Sequence, residues 1–272
     1  MENQANGLGK VNKKLTSVEK ATSTILNNIP VLSSYEEIVL NSLGKTLAKP
    51  VTALLSNPPS DVSSMDGYAL KNSDIDNGVL EFTVIDESVA GKSSSKTVAT
   101  MQTVRIFTGA KIPHGADRVI LQEDIKRLGN NLIKINKNKL ENNNFFIRKT
   151  GMDFKLGEKL IDKGEVLNTR NISLCVASGN SWVTIRRKPK IGIISTGNEL
   201  LKFGEIQNSK NNDKIISSNG IFLFNFINQL GGEAFILPTA KDDIKSLTNI
   251  LDEANDLDLI ISSGGASVGD YD

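Results

Sequence analysis

Glu199, Asp242, Asp270 and Asp272 each stand a few residues beyond a short apolar run in the last third of the chain. The runs are 190–195, 233–237 and 257–262. The segments after them are Thr196-Gly-Asn-Glu-Leu200, Pro238-Thr-Ala-Lys-Asp-Asp243 and Ser263-Gly-Gly-Ala-Ser-Val-Gly-Asp270. So many carboxylates gathered together repel a bare phosphate unless a hard cation lies between them. Mg²⁺ bridging a phosphorylated substrate fits this set better than acid–base catalysis alone. Gly264, Gly265 and Gly269, with Ser267 among them, would let backbone N–H groups come close to an anion. A tight turn is the competing account of those glycines. Asp242 has a competing role too, since an acid in a helix's first turn offsets the helix dipole. Neither a dinucleotide-binding G-x-G-x-x-G nor a P-loop pattern is present.

The elements that must position these residues are legible from periodicity. Lys190-Ile-Gly-Ile-Ile-Ser195 reads as a strand buried on both faces. A helix capped by Asn219 follows, with Ile221, Phe224, Ile227 and Leu230 spaced along it and Gly231-Gly232 closing it. Residues 233–237 form a second strand. A helix opened by Asp242-Asp243 and bearing Ile244, Leu247, Leu251 and Ala254 leads to a third strand at 257–262. The order β-α-β-α-β implies a parallel, right-handed α/β unit whose ligands gather beyond the carboxyl ends of its strands. The connection after Thr196 runs roughly 20 residues where two to six are usual, so it reads as functional.

Upstream the texture differs. Residues 1–15 are polar and read as a disordered lead-in. Two helices are expected at 18–26 and 34–43, the second started by Ser33 or Ser34 and ended by Gly44. From 58 to 146 short β-branched runs alternate with Gly, Asn and Ser clusters: 80–85, 102–107, 118–122, 132–135 and 145–147 predict a small β domain. The Asn/Lys-rich piece 136–144 reads as a solvated hairpin loop. Two dense motifs lie on that domain, Asp61-Val-Ser-Ser-Met-Asp-Gly-Tyr-Ala69 and Ile106-Phe-Thr-Gly-Ala-Lys-Ile-Pro-His-Gly-Ala-Asp117. Turn chemistry alone would explain their glycines. A helix at 169–178, with Ile172, Cys175 and Val176 on one face, and a strand at 181–186 complete the chain. The expected domains are 16–57 with 147–187 as an elongated linker domain, 58–146 as an inserted β domain, and 188–272 as the α/β domain.

Composition closes several other routes. A formal net charge of +1 and no basic stripe argue against nucleic-acid binding. One cysteine and one histidine cannot build a zinc site or a Cys–His catalytic pair. Cys175 reads as a small core residue and His114, beside Pro113, as a turn residue. No apolar run has the length of a bilayer span, so the expectation is a cytoplasmic protein without membrane partners.

Taken together the motifs resemble the molybdopterin molybdenumtransferase family, to which the C-terminal region of gephyrin also belongs. The resemblance rests on Ser64-Met-Asp-Gly-Tyr-Ala69, Phe107-Thr-Gly-Ala110 with Pro113 and Gly115-Ala-Asp117, and Gln122-Glu-Asp124. It continues through Arg148, Gly151-Met-Asp153, Gly157-Glu158, Ser195-Thr-Gly-Asn-Glu-Leu200, Ser218-Asn219 and Ser263-Gly-Gly-Ala-Ser-Val-Gly-Asp-Tyr-Asp272, in the family's order. It implies conversion of adenylylated molybdopterin and molybdate into molybdenum cofactor, with Mg²⁺ and release of AMP. It implies a homodimer whose third domain binds the pterin beside the partner's first two domains, with a molybdopterin adenylyltransferase as the upstream partner. By motif, Asp66 and Thr108 would line the site from the β domain. Glu199, Asp242 and Asp272 would be the acids that hold the cation and shape the molybdate pocket. Thr196, Gly197, Ser263, Gly264, Gly265, Ser267 and Gly269 would bind the pterin and its phosphate.

The chain departs from the family pattern at Asn198, where many members have Asp, a change that keeps a hydrogen-bond acceptor. The family also continues past its final motif with substrate-binding lysines and a further β domain, so an incomplete α/β unit and little activity of these 272 residues alone are expected. Three strands make a small sheet, and the last has no covering helix after it. A molybdopterin adenylyltransferase would lack the Met65-Asp-Gly-Tyr68 domain. A scaffold without catalysis, the other alternative, would not need Asp66, Thr108 and Glu199.

Overall fold

The computed structural model describes residues 16–140, 145–201, 214–241 and 243–264. They form two compact units. One gathers the described residues of 1–37, 44–48 and 184–272, the other 38–43 and 49–183. The architecture is multidomain, α+β in the second unit and parallel α/β in the first.

The first unit is built on three parallel strands, with Lys190–Ser195 in the centre, Glu233–Ile236 on one side and Leu259–Ser263 on the other. Because successive side chains of a strand point to opposite faces, Ile193 and Ile194 serve two different cores. Ile193 packs with Ile227 and Ala234 under the helix Asn219–Gln229. Ile194 packs with Ala240 and Ile250 under the helix Ile244–Glu253. The helices therefore cover opposite faces, which is why the central strand is apolar along its length rather than alternating. Arg187 grips Asp258 through two hydrogen bonds of 2.5 and 2.6 Å, and Asp258 also accepts from Lys190 N–H. That contact ties the start of the central strand to the approach of its neighbour.

The second unit contains a six-stranded mixed sheet in the order Arg118–Leu121, Gly67–Leu70, Gln102–Ile106, Glu81–Ser88, Leu132–Ile135, Ile125–Arg127. All neighbours are antiparallel except Glu81–Ser88 with Gln102–Ile106, a parallel pair with a bulge between Val84 and Asp86. Tyr68 and Leu70 pack with Phe82, Ile120, Ile133 and Ile135 on one face, while Ala69 packs with Ile106, Ala110 and Val119 on the other. The period-2 alternation thus feeds two cores, and Gly67–Leu70 is buried throughout.

Several local expectations need correction. Residues 34–43 are not a helix: Ser34–Ile38 is a strand and Val39–Asn41 a single 3₁₀ turn. The three-to-four spacing there was fortuitous. Leu40 and Leu43 are exposed, and the apolar side chain that buries is Val39, whose N–H donates to Ser181 C=O. At 145–147 only Ile147–Arg148 is extended, pairing with Val62–Ser63, because Phe146 has a positive φ of 50°. Ser218 occupies the N-cap position and Asn219 is the first helical residue. In the helix Thr169–Ala177, Cys175 is fully buried, and burial pushes its thiol pKa up, whereas Val176 faces outward. The expectation of a lead-in at 1–15 lies outside the described residues, as does the part of the proposed hairpin loop at 141–144. Among the described residues no helix is long and apolar enough to cross a membrane.

Candidate functional site

The carboxyl ends of the three parallel strands carry the first group of expected site residues. Thr196 continues the central strand, donating its N–H to Ser263 C=O at 2.9 Å and bridging Ala240 in parallel register. Gly197 follows with φ +147°, and a Cβ there would stand about 2.5 Å from the Glu199 carboxylate oxygens. The chain folds back so that the flexible Glu199 side chain lies over Gly197, and the positive φ there is what favours glycine. Gly264, at φ +111°, comes equally close to Thr196, whose backbone and side-chain oxygens fill the space of any Cβ. Both glycines permit close approach of the segments that end the first and third strands.

These residues border a cavity of about 280 Å³. Thr196, Glu199, Ser263 and Gly264 form one wall, and Ser217, Ser218 and Asn219 bring the N-terminus of the helix Asn219–Gln229 to the other. Ser218 makes no side-chain capping bond, so the first-turn N–H groups of that helix have no side-chain cap and its positive dipole end borders the cavity. Ser217 donates to Ser195 Oγ at 3.1 Å and lines both this cavity and a neighbour of about 400 Å³ walled by Ile221, Ile236, Leu237 and Pro238. Polar hydroxyls and a helix N-terminus beside a more apolar chamber suit a ligand with an anionic end and an organic end.

Thr196, Gly197, Glu199, Ser263 and Gly264 are therefore brought together. Asp242, Gly265, Ser267, Gly269, Asp270 and Asp272 lie outside the described residues. Asp243 caps the helix Ile244–Glu253, accepting from Ser246 N–H at 2.7 Å, and the dipole role considered for Asp242 lies outside the described residues. Among the described residues no three His, Cys, Asp or Glu side chains cluster closely enough to hold a metal ion.

Asp66 and Thr108 form a second group, within the second unit. Thr108 donates both its N–H (2.8 Å) and its hydroxyl (2.9 Å) to Asp66 Oδ1. The two bonds, with the charge of Arg105 behind them, hold the Asp66 carboxyl below the usual carboxylate range. Arg105 was missed in the sequence. It donates to Gly67 C=O and to Gln122 Oε1, and its guanidinium lies over the rings of Tyr68 and Phe107 at 4.9 and 4.7 Å. The available signal was a lone cation inside the apolar strand Gln102–Ile106. Asp61 repeats the Asp66 arrangement. It accepts from Lys149 Nζ at 2.8 Å and from both the N–H and the hydroxyl of Thr150, and its pKa is lowered for those reasons.

Comparison with known proteins extends this geometry. Residues 16–179 match the family model described as the MoeA N-terminal region (domain I and II), and 192–272 match one described as a probable molybdopterin binding domain. A protein of Staphylococcus aureus named molybdopterin molybdenumtransferase is 33% identical over 260 residues, covering 94% of this chain and 61% of the relative. One of the same name from a Nostoc species is 32% identical, covering 95% and 60%. The chain spans about 61% of the length of such curated relatives. A solved structure titled as a molybdopterin biosynthesis MoeA protein from Pyrococcus horikoshii superposes with a TM-score of 0.83 at 32% identity, over 93% of this chain and 64% of that one.

Proposed function

The chain belongs to the molybdopterin molybdenumtransferase (MoeA) family, and on that footing we propose that it acts in molybdenum cofactor biosynthesis, inserting molybdate into adenylylated molybdopterin with release of AMP. The observation that carries the reading is the cavity at the carboxyl edge of the parallel sheet, bounded by Gly264, Glu199 and the helix N-terminus at Ser218-Asn219. The phosphate of the pterin would lie against that N-terminus, whose partial positive charge offsets the anion. Glycine at 197 and 264 keeps the floor free of side chains, so backbone can approach the ligand.

Mg²⁺ fits the donors present. They are all oxygen donors or amides: the Glu199 carboxylate, the hydroxyls of Thr196, Ser217, Ser218 and Ser263, and Asn219. Glu199 would hold the cation, with Asp242 and Asp272 as the further acids of the set. When bound, it supplies positive charge that lets an anionic substrate rest beside these acids. Asp66, held ionised by Thr108, would act from the β domain, accepting a hydrogen bond from substrate in a fixed orientation. A homodimer in the cytoplasm, receiving substrate from a molybdopterin adenylyltransferase, is the assembly and setting that go with this reading.

The assay is AMP release from adenylylated molybdopterin, dependent on molybdate and Mg²⁺. Glu199→Gln and Asp66→Asn should each slow it by at least about tenfold, and undiminished release in both variants would sink the assignment of roles. A second reading is a molybdopterin-binding protein without transfer activity, since the family model described as a probable molybdopterin binding domain matches residues 192–272. Binding without any AMP release would select it.

A further inference from the structure

Ser63 is buried to 1% exposure and takes no part in the chemistry above. Its hydroxyl donates to Met65 C=O at 2.6 Å and accepts from Met65 N–H at 3.3 Å, closing a tight turn two residues long. Its backbone is pinned as well. Ser63 N–H donates to Ala110 C=O at 2.9 Å, and Ser63 C=O accepts from Gly109 N–H at 2.8 Å. One residue therefore clasps the segment Ser64-Met65-Asp66 through its side chain and the segment Thr108-Gly109-Ala110 through its main chain. Those two segments carry the two partners of the Asp66–Thr108 pair.

The surroundings leave the clasp as the part that sets the loop. Gly67, immediately after Asp66, is buried in the sheet between Gln102–Ile106 and Arg118–Leu121. Ser64 is tied to Phe146 C=O by its N–H, and Met65 itself is 41% exposed. Asp66 C=O accepts from Gln122 N–H at 3.2 Å, which fixes the far end of the segment, and the Ser63 hydroxyl orients the Met65 peptide that leads into Asp66. A hydroxyl both giving and receiving with one residue fixes direction in a way an apolar side chain of similar size cannot.

We infer that Ser63 is a positioning residue for Asp66: its hydroxyl sets the turn that points the Asp66 carboxylate at Thr108 and toward substrate. The inference rests on the proposed reading of Asp66 as the residue that meets substrate, but its geometry can be tested without turnover. In Ser63→Ala the main-chain clasp remains and only the hydroxyl bonds go.

The experiment is residue-resolved NMR of the whole chain, following hydrogen exchange of the Thr108 amide and the titration of the Asp66 carboxyl. In Ser63→Ala the Thr108 amide should exchange at least about tenfold faster, and Asp66 should titrate closer to an ordinary carboxylate. The amides of Tyr68–Leu70 in the adjoining strand should keep their protection. Wild-type behaviour at both Thr108 and Asp66 overturns the inference, and so does a loss of protection shared equally by Tyr68–Leu70, which marks a merely structural role. Should Ser63→Ala fail to fold, Ser63→Cys keeps a side chain of similar size with weaker bonds and should move both readouts the same way by less; no movement there overturns it equally. Failure of Asp66→Asn to slow AMP release would instead refute the functional role of Asp66 and leave the Ser63 result standing.

Discussion

Asp66 and Thr108 were legible as residues worth noticing, because Asp-Gly and Thr-Gly stand in dense motifs, but their meeting was not. They are 42 positions apart and touch only because Gly67–Leu70 and Gln102–Ile106 are paired neighbours, with Gly67 opposite Ile106. Arg187 and Asp258, 71 positions apart, were equally invisible, since exposed charges in a mixed sequence give no signal of pairing. That pair makes a prediction. The Arg187 guanidinium beside Asp258, together with the Lys190 N–H, lowers the Asp258 pKa from the ordinary 3.8 to about 2. A carboxyl whose folded pKa is depressed contributes stability that is present above the unfolded value and lost as pH falls through the folded one. Asp258→Asn should therefore lower Tm by about 2–4 °C at neutral pH, a modest figure because Arg187 is partly exposed and solvent-screened. The difference from wild type should shrink between pH 4 and pH 2. Thermal melts of the two proteins across that range check it, and a constant difference down to pH 2 would count against the pair.

At the scale of elements, the parallel unit was the most legible part of the fold. Lys190–Ser195 is apolar on both faces because a helix covers each, and that pattern can be read without knowing which helix lies where. Alternation made Leu132–Ile135 of the six-stranded sheet readable, as Ile133 and Ile135 face the core and Leu132 and Lys134 the outside. The order of that sheet's strands was not, since the parallel pairing of Glu81–Ser88 with Gln102–Ile106 depends on a connection that carries no periodicity. Ser34–Ile38 is a strand although its sequence also suits a helix, because a short segment with apolar residues at three- and four-residue intervals satisfies both descriptions and tertiary pairing decides. The candidate site inherits this unevenness. The glycines after the strands marked its floor and Ser218-Asn219 marked the helix start, whereas Ser217 and the meeting of that helix start with the strand ends across the long connection were not legible.

For the whole molecule, the near-neutral charge of +1 gives no electrostatic reason for copies to repel one another. Sedimentation of the proposed homodimer should report about twice the chain mass of 29.5 kDa, and a mass of one chain at assay concentration would remove that part of the proposal. The central claim is narrower: the cavity at the carboxyl edge of the parallel sheet is where this chain holds molybdopterin. Its most direct measurement is equilibrium titration of the purified chain with molybdopterin, beside Gly264→Ala, whose new methyl group would occupy the space now filled by Thr196. Saturable binding by the unaltered chain, weakened at least about tenfold in a Gly264→Ala protein that melts normally, is the expected result. Equal binding by the two proteins, or none by the unaltered chain, would contradict it.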